Sequence, residues 1–415
     1  MKNKAGKFIQ RLSFAAINIF ESPWGAAFAA LFIYLLVSAY TGYIFRRSDQ
    51  AYYNYLADAF LHGQTWLRQT PPSLLDLSYF NDKLFLYWAP FPAILLMPFI
   101  AIFGVQLNDV MYTLLIAALN VGLIAQLLRT ATKVGFLHLS KTKRAILVFF
   151  FAFGTVHFTL APFGTVWHTG QIIGFTCTIL AYLAAFSLQG AKAWFFTGLA
   201  LSGAMLTRNQ LVFTGIFPFM YLFFQQKSDN RIRLLQSIAM GLLPLTISLV
   251  FYLLYNDVRF GRLFESGVNY QLMSNFYRSS FEQFGVFDLH YLPTNLYYQY
   301  IFYPFPYRPE SIMGGSLFLL SPLFFGAFFT FWKPRSVLNT LSLWFSILIT
   351  NIPILLVIGT GYWQIGPRYT LDFTVPLLLL TAIGITNWKP IIALILTIIS
   401  MIHYLLGVNI LSQIK

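Results

Sequence analysis

The sequence predicts an all-α fold, a polytopic bundle of transmembrane helices, and three observations support that prediction. Of the 415 residues, 58% are hydrophobic and only 10% are charged. Apolar runs of about 15 to 22 residues recur along the whole chain, as expected for helices that cross a bilayer. Alternating segments of about ten residues, which would indicate a transmembrane β-barrel, do not occur. The lone cysteine, Cys177, lies in an apolar run, which excludes a disulfide framework and a thiolate metal site.

About eleven segments are predicted to span the membrane, within a single domain of residues 1–415. They are residues 24–45, 108–128, 145–162, 170–187, 193–207, 210–225, 234–255, 313–332, 338–359, 371–386 and 390–410. Two long outer loops, the first (46–107) and the fourth (256–312), are each predicted to carry helices that lie in the membrane interface. A basic amphipathic helix over residues 7–20 is predicted to lie on the membrane surface before the first span.

The charge distribution predicts which way the bundle faces. With a cytoplasmic N-terminus, 16 of the 27 basic residues are cytoplasmic: Lys2, Lys4, Lys7, Arg11, Arg129, Lys133, Lys141, Lys143, Arg144, Lys192, Lys227, Arg231, Arg233, Lys333, Arg335 and Lys389. Only two acidic residues, Glu21 and Asp229, share that side, and the other 11 acids fall on the outer face. This asymmetry follows the positive-inside rule and explains the net charge of +14 without nucleic acid as a partner. Acid–base chemistry is therefore predicted outside.

Short outer loops present the residues that could bind an anion. His168, Arg208 and Arg368 each lie in a different short loop on the same predicted face. An arginine near hydrocarbon costs about 2.5–3.5 kcal/mol on insertion scales, so such a residue usually has a partner or a task. A phosphate at headgroup level is the natural ligand for this set. Asp372, four residues after Arg368, is expected to form an i,i+4 pair with it.

Asp49 follows the first span and is predicted to begin an interfacial helix. It is either a simple helix cap or a reaction centre, and the cationic loops on the same face favour the second interpretation. Signatures of zinc proteases, P-loop enzymes and serine hydrolases (HExxH, GxxxxGK[ST], GxSxG) are not found in the sequence.

Several stretches, in this order, resemble the GT-C superfamily of integral membrane glycosyltransferases, which includes protein O-mannosyltransferases and aminoarabinose transferases. An aspartate after the first span is followed by YNYLADAFLHG and NDKLFLYWAPFPAILLMPF. LTRNQLV, YNDVRFGRLFESG and GYWQIGPRYTLDFTVPLLLL are similar to segments of bacterial members. The resemblance covers nearly the whole chain and implies a sugar donor linked to a polyprenyl phosphate, a hexosyl or pentosyl transfer at the outer face, and inversion at the sugar carbon.

The resemblance also assigns roles to individual residues. By position, Asp49 would be the general base toward the acceptor hydroxyl or a ligand of a divalent metal, the one cofactor that the resemblance leaves open. Lys83 is expected to contact the donor phosphate together with Arg208, Arg368 and His168. Asp82 is a candidate second carboxylate. Glu265 would either touch the acceptor or form a salt bridge with a neighbouring arginine.

Two other functions compete with this one. A flippase or transporter for lipid-linked sugars would place charges at the bilayer midplane and show related halves with broken helices. An O-antigen ligase or polymerase would share the outer arginines but lack the loop that begins with Asp49. The expected partners are a polyprenyl-phosphate sugar, membrane lipids and a lipid, glycan or protein acceptor. The expected location is a bacterial plasma membrane, with the active site on the extracytoplasmic side.

Overall fold

The structure is a computed structural model that describes residues 15–225, 231–332, 336–359 and 361–414. The first half of the predicted surface helix over 7–20 lies outside these ranges. The α-helices are α1 (Pro23–Tyr40), α2 (Tyr52–Leu61), α3 (Phe91–Phe103), α4 (Asp109–Lys133), α5 (Lys141–Phe153), α6 (His157–Leu160), α7 (Thr165–Ser187), α8 (Gly190–Met205), α9 (Ile216–Gln225), α10 (Arg231–Phe260), α11 (Asn275–Phe284), α12 (Leu292–Leu296), α13 (Leu317–Leu320), α14 (Val337–Leu356), α15 (Thr374–Gly384) and α16 (Pro390–Gln413).

Shorter elements connect these helices. The 3₁₀ segments are Tyr43–Phe45, Asn209–Gly215, Val268–Tyr270, Leu289–Tyr291, Pro309–Ile312, Pro322–Phe331, Arg368–Phe373 and Ile385–Asn387, and Tyr297–Ile301 forms a π-helical turn. Strands β1 (Ser78–Phe80) and β2 (Lys83–Phe85) pair antiparallel as a hairpin. Strands β3 (Met313–Gly314) and β4 (Gln364–Ile365) pair in parallel.

The predicted polytopic helical architecture is confirmed. Within the described ranges, seven helical segments are long and apolar enough to cross a membrane: Pro23–Tyr40, Asp109–Lys133, Thr165–Ser187, Arg231–Phe260, Val337–Leu356, Arg368–Asn387 and Pro390–Gln413. The other four predicted spans coincide with shorter or interrupted helices, such as α5 followed by α6, so a total of eleven stays a prediction. Helices also form where the sequence predicted interfacial ones, at α2 and α3 in the first long loop and at α11 in the second.

The long helices pack in a row, because small residues let their backbones approach closely. Helix α1 packs on α4, α4 on α7, α7 on α8 and α8 on α10. At the last contact, a Cβ placed on Gly198 would lie 1.9 Å from the carbonyl oxygen of Gly241, so only glycine fits there. Helix α10 is otherwise exposed over most of its apolar length, as expected for a helix that faces lipid.

The two long loops meet at one end of this row. The hairpin β1–β2 belongs to the first loop, and Ser78 forms an isolated antiparallel bridge with Gln271 of the second. The amide of Asp76 donates to the carbonyl of Leu272 at 2.9 Å, and the amide of Leu272 donates to the carbonyl of Leu77 at 2.7 Å. Residues nearly 200 positions apart are therefore held side by side at the end of the bundle.

Asp109, the first residue of α4, holds two further segments at this end. Its buried carboxylate accepts hydrogen bonds from the amide of Ser48 at 2.8 Å and from the amide of Thr165 at 2.9 Å. The Ser48 hydroxyl donates to the same carboxylate. The segment after α1 and the first turn of α7 are thereby joined through one side chain, with the charge at a helix N-terminus, where it is favoured.

Candidate active site

A cavity of about 840 Å³ lies where the two long loops meet the ends of the helices. Its walls come from both long loops, the start of α7, the end of α14 and two 3₁₀ segments, Asn209–Gly215 and Arg368–Phe373. Three residues predicted to bind phosphate, His168, Arg208 and Arg368, line this cavity. The structure therefore brings together three groups that are scattered over 200 positions of the sequence.

Arg368 is a buried cation that forms no direct ion pair with a carboxylate within the described residues. Arg368 is only 7% exposed. Its side chain forms no hydrogen bond or ion pair within the described residues, and its Nε is buried without a partner there. Its backbone is held firmly, because the amide donates to Oε1 of Gln364 at 3.1 Å and the carbonyl accepts from Nε2 of Gln171 at 2.9 Å. A buried, unpaired guanidinium on a cavity wall has hydrogen-bond donors and a positive charge available to an anion.

Arg208 is neutralised within the protein. Its Nε and Nη2 lie 3.1 Å and 3.0 Å from Oδ2 of Asp372, a carboxylate that also accepts a hydrogen bond from Gln210 at 2.8 Å. The expected pair between Asp372 and Arg368 is therefore wrong. Residues 368–373 form a 3₁₀ helix, in which side chains three positions apart align and those four apart do not.

One aromatic ring connects the two arginines. The guanidinium carbons of Arg208 and Arg368 each lie 5.3 Å from the centre of the Tyr369 ring. At this distance the quadrupole of the ring attracts a cation, so Tyr369 helps to hold both side chains at the cavity wall.

His168, in the first turn of α7, is held in one tautomer. Its Nδ1 lies 2.6 Å from the carbonyl oxygen of Gly164, and because a carbonyl only accepts, Nδ1 carries the proton. In the neutral ring Nε2 is then an acceptor. Neutral His168 would receive a hydrogen bond from a hydroxyl, and it would donate to a phosphate only in the doubly protonated state.

Asp49, the predicted catalytic residue, is exposed and is not among the residues that line the cavity, although its neighbour Gln50 is. The described contacts include no hydrogen bond or ion pair of Asp49, and α2 begins only at Tyr52, with Ala51 at its N-cap. The catalytic role of Asp49 stays a prediction, and the structure places its carboxylate beside the cavity rather than in it.

Asp82 and Lys83 are exposed where the hairpin turns from β1 into β2. The ammonium of Lys83 lies 3.8 Å from the centre of the Trp66 ring, and Asp82 accepts a hydrogen bond from the Tyr79 hydroxyl at 2.9 Å. Neither residue is among those that line the cavity. The structure therefore does not bring the predicted phosphate contact and second carboxylate together with the arginines.

The carboxylate of Glu265 forms hydrogen bonds within its own turn. Its two carboxylate oxygens accept from the amide of Gly267 at 2.7 Å and from the side chain of Asn269 at 2.8 Å. The nearby Arg259 donates instead to the carbonyl of Leu86 at 2.7 Å and to Asn256 at 2.7 Å. Ser266 lines the cavity, so the turn reaches the site although the carboxylate of Glu265 is not part of the lining.

Asp76 is the carboxylate that the sequence analysis did not single out. It lines the cavity, where Oδ1 accepts from Nε2 of Gln271 at 2.7 Å and Oδ2 accepts from Nε1 of Trp167 at 3.1 Å. Burial raises the pKa of the Asp76 carboxyl above its usual value, while these two hydrogen bonds and the charge of Arg368 lower it to a lesser extent.

A metal ion has little to bind in this site. Within the described ranges no three His, Cys, Asp or Glu side chains are grouped so that they could hold a metal. Both oxygens of Asp76 already accept hydrogen bonds, and Asp372 is paired with Arg208. The described residues therefore offer no preformed set of three ligands, and a divalent cation in this cavity would take most of its ligands from substrate phosphate and water.

Neither a protein-family model nor a curated protein matches the chain. Among solved structures, the chain is similar to "Crystal Structure of ArnT from Cupriavidus metallidurans bound to Undecaprenyl phosphate", with a TM-score of 0.51 and 14% sequence identity. The match covers 87% of this chain and 60% of the ArnT chain, so this chain spans less than two thirds of the length of that protein.

The likeness therefore defines the fold. The chain has a polytopic helical fold similar to that of the ArnT structure, in agreement with the architecture predicted from its sequence. At 14% identity the likeness concerns the fold alone, and the activity has to be argued from the cavity.

Proposed function

We propose that this protein is a membrane glycosyltransferase that moves a sugar from a polyprenyl-phosphate donor to an acceptor hydroxyl, in the cavity at the extracytoplasmic side. The main support is the unpaired guanidinium of Arg368 on a cavity wall that also holds the half-buried carboxylate of Asp76. A bound phosphodiester needs a cation to neutralise its charge, and transfer of the sugar to a hydroxyl needs a base to remove the proton. The cavity supplies both groups.

The ligand of the structural neighbour supports the choice of donor. ArnT was crystallised with undecaprenyl phosphate, and the shared fold makes this lipid phosphate the first candidate for the present cavity. The cavity continues from Arg368 to apolar residues at the end of α14, such as Ile354 and Val357, and to Tyr252 of α10. An isoprenoid chain could therefore follow the apolar wall toward lipid while the phosphate lies at the arginine.

The division of charge in the cavity gives each group a role. Arg368 would hold the phosphate of the donor and stabilise the negative charge that develops when the sugar–phosphate bond breaks. Arg208, already paired with Asp372, would act as a dipole and shape the wall rather than supply a net charge. His168, through Nε2, would accept a hydrogen bond from a sugar or acceptor hydroxyl.

The test is transfer by purified protein in lipid vesicles. Radiolabelled undecaprenyl-phosphate pentoses and hexoses would be added with bacterial envelope lipids and glycans, and product formation would be compared with vesicles that contain Arg368→Gln. The proposal expects transfer of at least one sugar by the wild-type protein and a strong loss in the variant. Movement of the intact donor across the bilayer without transfer would instead support a flippase.

A further inference from the structure

Asp76 is the one acidic residue among those described that line the cavity, whereas Asp372 and Asp109 are bonded to cavity residues and are committed to the fold. Asp372 is neutralised by Arg208. Asp109 accepts three hydrogen bonds from Ser48 and Thr165 and ties two segments together. Asp76 is different, because its hydrogen-bond donors, Trp167 and Gln271, are neutral and its charge is not cancelled by a direct ion pair within the described residues.

The geometry at Asp76 leaves room for a proton. A carboxylate has about four lone-pair sites, and the two hydrogen bonds from Gln271 and Trp167 use one on each oxygen. The same two bonds fix the plane of the carboxylate. Its backbone has a φ of 64° and is bonded to Leu272. Asparagine and aspartate adopt that left-handed conformation more readily than most residues, so the fold presents this side chain at a defined angle.

The surroundings favour a carboxylate that takes up a proton during the reaction. The charged and titratable groups that face Asp76 are Arg368, Tyr52, Tyr87 and Tyr277, and His168 lines the same cavity. Burial raises the pKa of each of these three tyrosines, to about 12 for Tyr52, so they stay neutral near pH 7. Burial likewise raises the pKa of Asp76, which makes it a stronger base than an exposed aspartate.

We infer that Asp76, and not the exposed Asp49, is the general base that removes the proton from the acceptor hydroxyl in this cavity. The inference rests on the proposed function. In the reaction the acceptor oxygen forms a bond to the anomeric carbon, and its proton passes to Asp76. The bond between that carbon and the phosphate oxygen breaks, and its electron pair leaves with the polyprenyl phosphate, held by Arg368. Gln271 and Trp167 are positioning residues that orient the carboxylate.

The first test compares Asp76→Asn and Asp49→Asn in the vesicle transfer assay. Asp76→Asn is expected to lower kcat by about 10²- to 10⁴-fold, the usual contribution of general base catalysis, with a donor KM within about threefold of wild type. Asp49→Asn is expected to retain most of the activity. Asp58→Asn, which removes a half-buried carboxylate that pairs with Arg68 and His62 and does not line the cavity, is the control for a lost carboxylate. Full activity of Asp76→Asn, or equal losses of kcat in Asp76→Asn and Asp49→Asn, would overturn the inference.

A second test does not depend on the folding of Asp76→Asn. The hydrogen bond from Gln271 lowers the pKa of Asp76, so Gln271→Leu should raise that pKa and move the acidic limb of the kcat/KM profile to higher pH. Gln210→Leu removes a similar bond from Asp372 and is the matched control, in which the limb should not move. An unmoved limb in Gln271→Leu would overturn the inference. If the wild-type protein transfers no sugar, the proposed function fails and the inference fails with it.

Discussion

Arg208 and Asp372 form a buried ion pair, with Nη2 of the arginine 3.0 Å from Oδ2 of the aspartate, although 164 residues separate them. The arginine is the N-cap of the 3₁₀ segment after α8, and the aspartate lies in the 3₁₀ segment before α15. The pair thus joins two interrupted helices at the cavity wall. Because Asp372 pairs with Arg208, Arg368 is left without an ion-pair partner among the described residues.

Breaking this pair should destabilise the protein. Asp372→Asn leaves Arg208 buried with an uncompensated charge, and we expect the free energy of unfolding to fall by about 3–5 kcal/mol. The measurement is the Tm in detergent. The double variant Arg208→Gln, Asp372→Asn removes both charges and should recover much of the loss. A wild-type Tm for Asp372→Asn would show that the pair contributes little.

Removing the unpaired cation should affect binding and not folding. Arg368→Gln is expected to weaken the affinity for polyprenyl phosphate by about 10- to 100-fold, because hydrogen bonds to charged groups contribute roughly 1.5–3 kcal/mol. Binding can be followed by quenching of the cavity tryptophans, Trp88, Trp167 and Trp363. Arg68→Gln, which removes a cation paired with Asp58, is the control. A lower Tm for Arg368→Gln with unchanged affinity would assign a structural role instead.

The hydroxyl of Tyr277 should also contribute to binding. Tyr277 lines the cavity from α11, and its hydroxyl is buried without a partner among the described residues. Since Tyr277→Phe removes no bond within the protein, we expect an unchanged Tm and an affinity for donor or acceptor that falls by about 5- to 10-fold.

Tyr291→Phe provides the matched control for that variant. The hydroxyl of Tyr291 donates to the carbonyls of Ser280 at 3.1 Å and Gly285 at 2.7 Å, and its ring is not part of the cavity wall. This variant should lose about 1 kcal/mol of stability and keep its affinity. The opposite pattern in the two variants would contradict the role given to Tyr277.

A methyl group at Gly361 should displace the guanidinium of Arg368. A Cβ at this position would lie 2.8 Å from Nε of Arg368, and the φ of Gly361 is 93°. Gly361→Ala therefore adds both backbone strain and a clash, and we expect the affinity for polyprenyl phosphate to fall. Gly285→Ala shares the positive φ, 73°, but its Cβ would meet nothing within 4 Å. It should lose a similar stability, about 1–2 kcal/mol, without a change in affinity. Equal affinities in the two variants would contradict the prediction.

The architecture was predictable because a chain in lipid must pair its backbone groups within each segment, so apolar length and helical fold are linked. The positions of Arg208, Arg368 and His168 on one cavity wall were predictable for a related reason. Short loops between spans keep their polar side chains close to the helix ends on one face of the membrane, where the three side chains line one cavity. The breaks in the predicted spans 145–162 and 313–332 could not be predicted from the sequence, because tertiary packing and not hydropathy determines where these helices are interrupted.

The choice among carboxylates could not be read from the sequence. Asp76 is one of several outer acids, and its importance depends on Gln271, which lies 195 residues away, and on Trp167. Asp49 was favoured by its place after the first span, but the helix expected to begin there starts at Tyr52. The pair expected between Asp372 and Arg368 is wrong because an i,i+4 pair requires an α-helix, whereas residues 368–373 form a 3₁₀ helix.

Because Asp76 and Arg368 line one cavity, the proposed transfer proceeds without a net change in the charge inside that cavity. The donor phosphodiester carries one negative charge, and the released phosphate monoester carries close to two at neutral pH. The proton captured by Asp76 cancels that extra charge within the same chamber. No ion has to enter or leave while the bonds exchange, and the return of the proton to bulk water becomes a separate event, coupled to product departure.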